Sequence, residues 1–528
     1  MTAPHPIAPS RLKTILRRTA AVTAVACGCA WLPARAAAQL VEPFPAPARL
    51  EAALDSVVRD EMERSHIPGA VVVVVKDGRV YWTKGYGVAD VETRRPVDPE
   101  RTIFRIGSIS KVFTATAVMQ LADRGRIRLD EDVNRYLPGW TVPEPYGRPV
   151  TAANLLTHTA GFDEINLGRK VFREAEVRPL GTFLRGRLVP RFAPGERSSY
   201  STYGIALAGY LVETVSGLPL RDYLRQRVFA PLGMERSSLG AVPDSLRGDA
   251  AAGYAWAGGG YRPEPWEFFH THPASDVNAT AADMARFMIA HLEAGRPGAP
   301  RILGDTAAAL MHRVHFRNDP RLLGFTYGFF EQRLWGHQAI QHSGSMSGYA
   351  AGMWLWPAER MGVFVACNRE VGSLEQRVVT RLAARTLVPL DTADTEGTPW
   401  TRPRVRDDLR RFAGRYRPDT WCHTCRGARG FVPDAFEVTV VDDSTLGFWG
   451  GRWAQVEPLL FRVMNGQLEY GQMYVAFQAD SAGRIVRMVN GTNVNERVGM
   501  ETPPSAAARS SPRDPERYSG TFRRRDGT

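Results

Sequence analysis

A serine and a lysine three residues apart lead straight into an apolar run, and that run constrains the fold more than anything else in the chain. The stretch is Phe104, Arg105, Ile106, Gly107, Ser108, Ile109, Ser110, Lys111, followed at once by Val112, Phe113, Ala115, Ala117, Val118, Met119 and Leu121. Asp123, Arg124 and Gly125 close it, with Gly125 placed as a helix C-cap. The pattern predicts a helix buried on most sides with Ser108 at its start. At spacing i, i+3 the two side chains share a face, so Lys111 can reach the Ser108 hydroxyl. A helix start also offers free backbone N–H groups and a positive dipole, which suit a developing oxyanion. Serine is a poor nucleophile until a base takes its proton, and a partly desolvated lysine can be that base. Taken alone, Ser-x-x-Lys is a weak signal and reads more readily as a capping serine beside a surface lysine. The apolar run argues against that, because a solvated lysine seldom precedes one.

The chain of 528 residues is too long for one ordinary core and predicts two or three domains. Residues 1–38 have the pattern of a secretory signal: a basic start, a short apolar stretch over 19–32, and Ala36, Ala37 and Ala38 as a cleavage site. Their removal takes Arg11, Lys13, Arg17, Arg18 and Arg35 and no acid, so net charge falls from +12 to +7. No basic stripe with interleaved aromatics follows, which argues against nucleic acid as a partner. No later stretch has the length and apolarity of a transmembrane helix. Export to the periplasm or beyond is the expectation, and oligomeric state has no sequence signature.

The elements read in order as follows. Residues 49–65 form an amphipathic helix, with Leu50, Leu54, Val57, Val58 and Met62 on one side. Residues 70–75 and 80–86 form a hairpin around Asp77-Gly78. Helices follow over 205–215, over 223–230 with a stop at Pro231, and over 281–291 capped by Thr280. Residues 252–273 read as a long loop or short hairpins. Strands follow over 328–334, 339–342, 350–356 and 361–365. Residues 391–408 turn polar and mark a linker. Six short alternating runs after it, over 436–441, 445–449, 453–459, 467–470, 473–478 and 484–489, predict an all-β barrel or sandwich. Residues 409–417 resemble 515–523, so the second copy is a vestige or the strand that closes the barrel. Cys367 lies in an apolar run and reads as a core thiol. Cys422 and Cys425 flank His423 and Thr424 and read as a local disulfide or two free thiols.

An activated serine also needs a proton carrier for the leaving group and an oxyanion hole. Tyr200, in Tyr200-Ser201-Thr202, is the candidate carrier, since two nearby cations can lower a phenol pKa. His342-Ser343-Gly344-Ser345, on a strand edge, is the candidate hole: Gly344 lets substrate approach, and the Ser345 N–H joins that of Ser108. With these motifs in this order the chain resembles the serine β-lactamase and penicillin-binding-protein-like superfamily, in its class C β-lactamase and esterase branch. The resemblance runs from about residue 50 to about residue 390 and includes Leu155-Leu156-Thr157-His158-Thr159-Ala160-Gly161, Ala193-Pro194-Gly195 and Gly344-Ser345-Met346-Ser347-Gly348-Tyr349. It implies an α+β domain over 39–390, an antiparallel sheet flanked by helices plus an all-α lobe, with the site between them. It also implies a lipocalin-like barrel over 409–498, before a tail at 499–528.

By the same resemblance Ser108, Lys111, Tyr200 and His342 are catalytic. The N–H groups of Ser108 and Ser345 form the oxyanion hole, and Thr202, Ser343 and Gly344 contact a small-molecule or peptide substrate. His158 precedes Tyr200 and reads as part of a structural loop. Two residues depart from the family. Thr202 replaces an asparagine that contacts substrate amides, and His342 replaces a lysine, with less fixed positive charge at neutral pH. The histidines show no three-ligand spacing, so neither metal nor cofactor is expected. The reading is a serine hydrolase working through an acyl-enzyme on an ester or amide. D-peptidase, β-lactamase and a catalytically idle binding protein follow in that order.

Overall fold

Five consecutive valines, residues 71–75, are fully buried because the strand that carries them, Gly69–Lys76, lies inside a sheet covered on both faces. Side chains alternate along a strand. Val71, Val73 and Val75 therefore face one core with Phe113, Met284 and Met288, and Val72 and Val74 face another with Leu54, Val58 and Leu382. Each such burial contributes about 1.5–3 kcal/mol. The structure, a computed structural model, describes residues 44–296, 298, 301–334, 336–387, 407–420, 422–423, 433–465 and 474–500. Residues 1–38, read as a secretory signal, and the second copy at 515–523 lie outside these residues, as do Cys425 and the run over 467–470.

The sheet has seven strands, all antiparallel. Their order is Phe330–Leu334, His337–Met346, Tyr349–Trp356, Met361–Cys367, Gly69–Lys76, Arg79–Asp90 and Arg95–Pro96. Helices Pro47–Arg64 and Ser373–Thr386 cover one face. Helix Ala281–Leu292, capped by the Thr280 hydroxyl, covers the other together with Ser110–Asp123, which leads into the helical lobe. Thr202–Ser216 packs on Ser110–Asp123 there. Both helices are buried nearly all round, as the sequence of the second predicts, and Gly125 (φ +66) and Gly217 (φ +75) take the left-handed conformation just past their ends.

The helix expected over 223–230 begins earlier, at Leu220–Leu224. It widens into a π turn, Arg225–Phe229, and runs through Pro231 in Ala230–Leu232. The wide turn lies just ahead of a residue that has no N–H to give to an α-helical bond.

The C-terminal strands close into an eight-stranded barrel: Gly414–Pro418, Phe436–Asp442, Thr445–Phe448, Gly451–Glu457, Leu460–Asn465, Tyr474–Ala479, Ile485–Asn490 and Asn493–Arg497. Asn493–Arg497 pairs with Gly414–Pro418 and completes the ring, so residues 515–523 are not the closing strand. Tyr416, Trp453, Phe461 and Phe477 fill its centre. Cys367 is a free buried thiol, and Cys422 is disulfide-bonded. Among the described residues, no helix is long and apolar enough to cross a membrane.

Candidate active site

Ser108 is held by a folded knot of backbone ahead of the long helix. Phe104–Arg105 pairs with Val277–Ala279, and Gly107 (φ +52) turns the chain into a 3-10 turn, Gly107–Ile109. Ser108 therefore sits one turn before the helix Ser110–Asp123, not in it. The Ser110 hydroxyl donates to the Gly107 carbonyl (2.6 Å) and accepts from the Val277 N–H (2.9 Å), which fixes the turn. Lys111 follows, 1 % exposed. Its Nζ lies 2.9 Å from Ser108 Oγ and donates to the Ala274 carbonyl at 3.0 Å. Burial pulls its pKa down to about 7, with Glu164 favouring the protonated form and Arg169 opposing it. A large share of Lys111 is therefore a neutral amine at neutral pH, able to take the Ser108 proton.

Tyr200 enters from the segment before helix Thr202–Ser216. Lys111 Nζ stands 4.8 Å from the centre of its ring, and its hydroxyl is hydrogen-bonded with Ser108. Burial raises its pKa and the bond to Ser108 only partly offsets this. The sequence suggested a lowered value between two cations. One of those cations, Lys111, is itself half discharged, and burial disfavours the phenolate. Tyr200 stays a phenol, a proton donor to the site.

His158 supports Tyr200 from below. Its carbonyl accepts the Ser199 N–H (2.8 Å), its Nδ1 accepts the Ser201 N–H (3.1 Å), and its ring lies 4.6 Å from that of Tyr200. The loop reading of His158 holds, and the loop forms part of the site wall.

The strand His337–Met346 brings the remaining residues. Its pairing with Phe330–Leu334 ends at Gln341, leaving one edge of residues 342–346 without a neighbouring strand. The 3-10 turn lies against that edge. A Cβ built on Gly344 would fall 2.0 Å from the Ile106 carbonyl oxygen and 2.7 Å from the Ser108 nitrogen, and one on Gly107 would fall 2.9 Å from the Ser345 nitrogen. Two glycines thus let the Ser108 and Ser345 amides converge. Ser343 is half-buried, and the Ser345 hydroxyl donates to Glu370 (3.0 Å).

His342 is buried, with its ring 6.2 Å from that of Tyr200. Burial and the nearby Lys111 take its pKa down to about 3. Its Nδ1 donates to the Ser343 carbonyl (2.7 Å), which assigns the neutral tautomer, and its buried Nε2 has no hydrogen-bond partner among the described residues. His342 is a neutral acceptor and not a cation.

Thr202 opens its helix, and its N–H donates to Glu164 Oε2 (2.9 Å). Glu164 is 6 % exposed and paired with Arg169 (3.3 Å). Sequence reasoning missed it, although it follows the His158-Thr159-Ala160-Gly161 loop by three residues and a buried carboxylate needs partners. Among the described residues, no three His, Cys, Asp or Glu side chains are grouped to hold a metal.

A family model described as beta-lactamase matches residues 54–387. The chain is 34% identical over 265 residues to penicillin-binding protein 4 of Amycolatopsis lactamdurans, a match covering 47% of this chain and 66% of the relative. The chain thus spans just under two thirds of that relative's length. Its fold is similar to the crystal structure of SurE, with a TM-score of 0.61 at 23% identity, covering 86% of this chain and 100% of the other. A class C beta-lactamase structure superposes with a TM-score of 0.55 at 22% identity, covering 64% of this chain and 96% of the other.

Proposed function

The chain belongs to the beta-lactamase family, and from that premise we propose that it is an exported serine hydrolase that cleaves an ester or amide through an acyl-enzyme on Ser108. The observation that carries the reading is the buried Lys111 amine 2.9 Å from Ser108 Oγ. Lys111 takes the Ser108 proton as Oγ attacks the carbonyl carbon. The Ser108 and Ser345 amides hold the oxyanion. Tyr200, protonated and hydrogen-bonded with Ser108, gives a proton to the leaving group and is recharged from Lys111. Water then releases the acyl group by the reverse relay. Ser343, Gly344 and Thr202 border the acyl group, and the basic, then apolar pattern of residues 1–38 supports export.

His342 and Thr202 support ester or simple amide substrates over β-lactams. Neutral His342 supplies no charge for a substrate carboxylate. Thr202, on whose N–H Glu164 is already engaged, carries a hydroxyl where the family's asparagine offers a carboxamide. The second reading, a D-peptidase or β-lactamase, draws on the similarity to penicillin-binding protein 4. Turnover of p-nitrophenyl butyrate, a D-alanyl p-nitroanilide and a chromogenic cephalosporin by the wild type and Ser108→Ala tests both. The proposal expects ester turnover that vanishes in Ser108→Ala; turnover of the cephalosporin alone overturns the substrate ranking, and no turnover of any overturns the activity.

A further inference from the structure

The segment that delivers Tyr200 is gripped by the barrel. It runs from Arg191 to Ser198, and both its arginines are buried, at 1 % and 3 % exposure for Arg191 and Arg197. Two carboxylates reach them from the barrel: Asp419, just past the strand Gly414–Pro418, and Glu496, within Asn493–Arg497; Glu196, in the segment itself, also accepts from Arg197 Nη1 (3.1 Å). Arg191 Nη1 donates to Asp419 Oδ1 (2.5 Å), and its Nη2 lies 3.6 Å from Glu496 Oε2. Arg197 Nε donates to Asp419 Oδ2 (3.1 Å) and its Nη2 to Glu496 Oε1 (2.9 Å). Asp419 and Glu496 are themselves 1 % and 2 % exposed. One residue nearer Tyr200, the Ser198 hydroxyl donates to the Thr492 carbonyl at 2.9 Å, in the turn between the last two barrel strands.

A second contact reaches the stretch beside this segment, where the Asp163 N–H donates to the Val189 carbonyl (2.9 Å). The His423 N–H donates to Asp163 (2.8 Å), the neighbour of Glu164, and the Cys422 side chain belongs to the apolar core of the hydrolase fold. Buried guanidinium groups need their carboxylates, because losing one leaves an uncompensated charge in the interior. The conformation of residues 191–198 therefore depends on the barrel, and Tyr200 lies two residues further on.

We propose that the barrel is a working part of the hydrolase site, in which Asp419, Glu496 and the Thr492 carbonyl act as positioning groups that set Tyr200 over Ser108 and Lys111. The proposal rests on the hydrolase reading for the purpose of that positioning, but not for its existence. A misplacement of about 1 Å can slow chemistry by about a hundredfold, so small losses at this cluster are visible at Ser108.

The test uses the full chain with 3-fluorotyrosine placed at Tyr200, or at Tyr136 in the helical lobe as control. Fluorine spectra are compared for the wild type, Glu496→Gln and Ser198→Ala, alongside the rate at which a serine-directed phosphonate labels Ser108. The expected result is a Tyr200 signal shifted or broadened in both variants, an unchanged Tyr136 signal, and labelling slower by about tenfold in Glu496→Gln and about threefold in Ser198→Ala. An unchanged Tyr200 signal in a folded variant overturns the proposal. Where Glu496→Gln does not fold, Ser198→Ala, which loses only the hydroxyl's bonds to the Thr492 carbonyl and from Asn318 Nδ2, decides alone. Failure of the hydrolase reading shows separately, as a wild type that takes no label while its Tyr200 signal still answers to the variants.

Discussion

Lys111 Nζ and Ser108 Oγ stand 2.9 Å apart, and the same nitrogen is tied to the Ala274 carbonyl at 3.0 Å. The amine is thus oriented by one bond and free to exchange a proton through the other. With burial holding its pKa at about 7, the neutral base form grows as pH rises through that value. The kcat/KM profile is predicted to carry an acid limb near pH 7, rising with pH. Lys111→Ala abolishes that limb and lowers kcat/KM by about 10²–10⁴-fold in a protein that still melts cooperatively.

Glu164 and Arg169 shift Lys111 in opposite directions. Removing the carboxylate charge in Glu164→Gln makes the ammonium less favourable, so the acid limb moves to lower pH. Removing the guanidinium charge in Arg169→Gln moves it to higher pH. The pH–rate profiles of the two variants check the signs, and shifts in the same direction contradict the assignment.

Tyr200 is a phenol whose pKa is raised by burial despite its bond to Ser108. Tyr200→Phe is therefore predicted to slow acylation by about a hundredfold while leaving the acid limb where it was, because that limb belongs to Lys111. Stopped-flow acylation across pH measures both quantities.

Gly344 has no room for a methyl group against the Ile106 carbonyl and the Ser108 amide. Gly344→Ala forces the strand and the 3-10 turn apart. It is expected to cost about 1–3 kcal/mol of stability and to separate the two amides of the hole. Thermal melts together with phosphonate labelling report the two effects, and a fully active variant contradicts the placement of the hole.

A contacting pair of histidines, His291 buried and His312 half-buried, predicts acid sensitivity. His291 Nδ1 and His312 Nε2 lie 3.0 Å apart. Burial, with His312 adding to it, holds His291 well below its ordinary value, and burial takes His312 down to about 4. Unfolded histidine titrates at about 6.5. Above that pH both states are neutral and stability is complete. Below it the unfolded chain takes protons that the folded one refuses, so stability falls until the folded values are passed. Melting temperature is expected to drop from about pH 6.5 downward, less steeply in the His291→Phe/His312→Leu double variant.

Much of the site was legible because its signals are local. Ser108 and Lys111 are three residues apart, and an apolar helix follows them. The valine strand and its hairpin also read directly. What stayed hidden depends on distant partners. Arg197 meets Asp419 and Glu496 across 222 and 299 residues, and no local period announces a buried charge with a remote counter-ion. The strands Gly414–Pro418 and Asn493–Arg497 are too polar to read as strands, and closure of the barrel makes them so. The Tyr200 pKa follows from enclosure by His158, Phe330 and His342, which come from two separate parts of the chain.

The central claim, that Ser108 is a nucleophile activated by Lys111, is tested most directly by intact mass. The purified protein is exposed to a serine-directed phosphonate and, separately, to a penicillin, with Ser108→Ala and Lys111→Ala as controls. The account predicts one phosphonate adduct on the wild type, none on Ser108→Ala and strongly slowed labelling of Lys111→Ala. A folded wild type that takes up neither reagent, or labelling that survives Ser108→Ala, contradicts it.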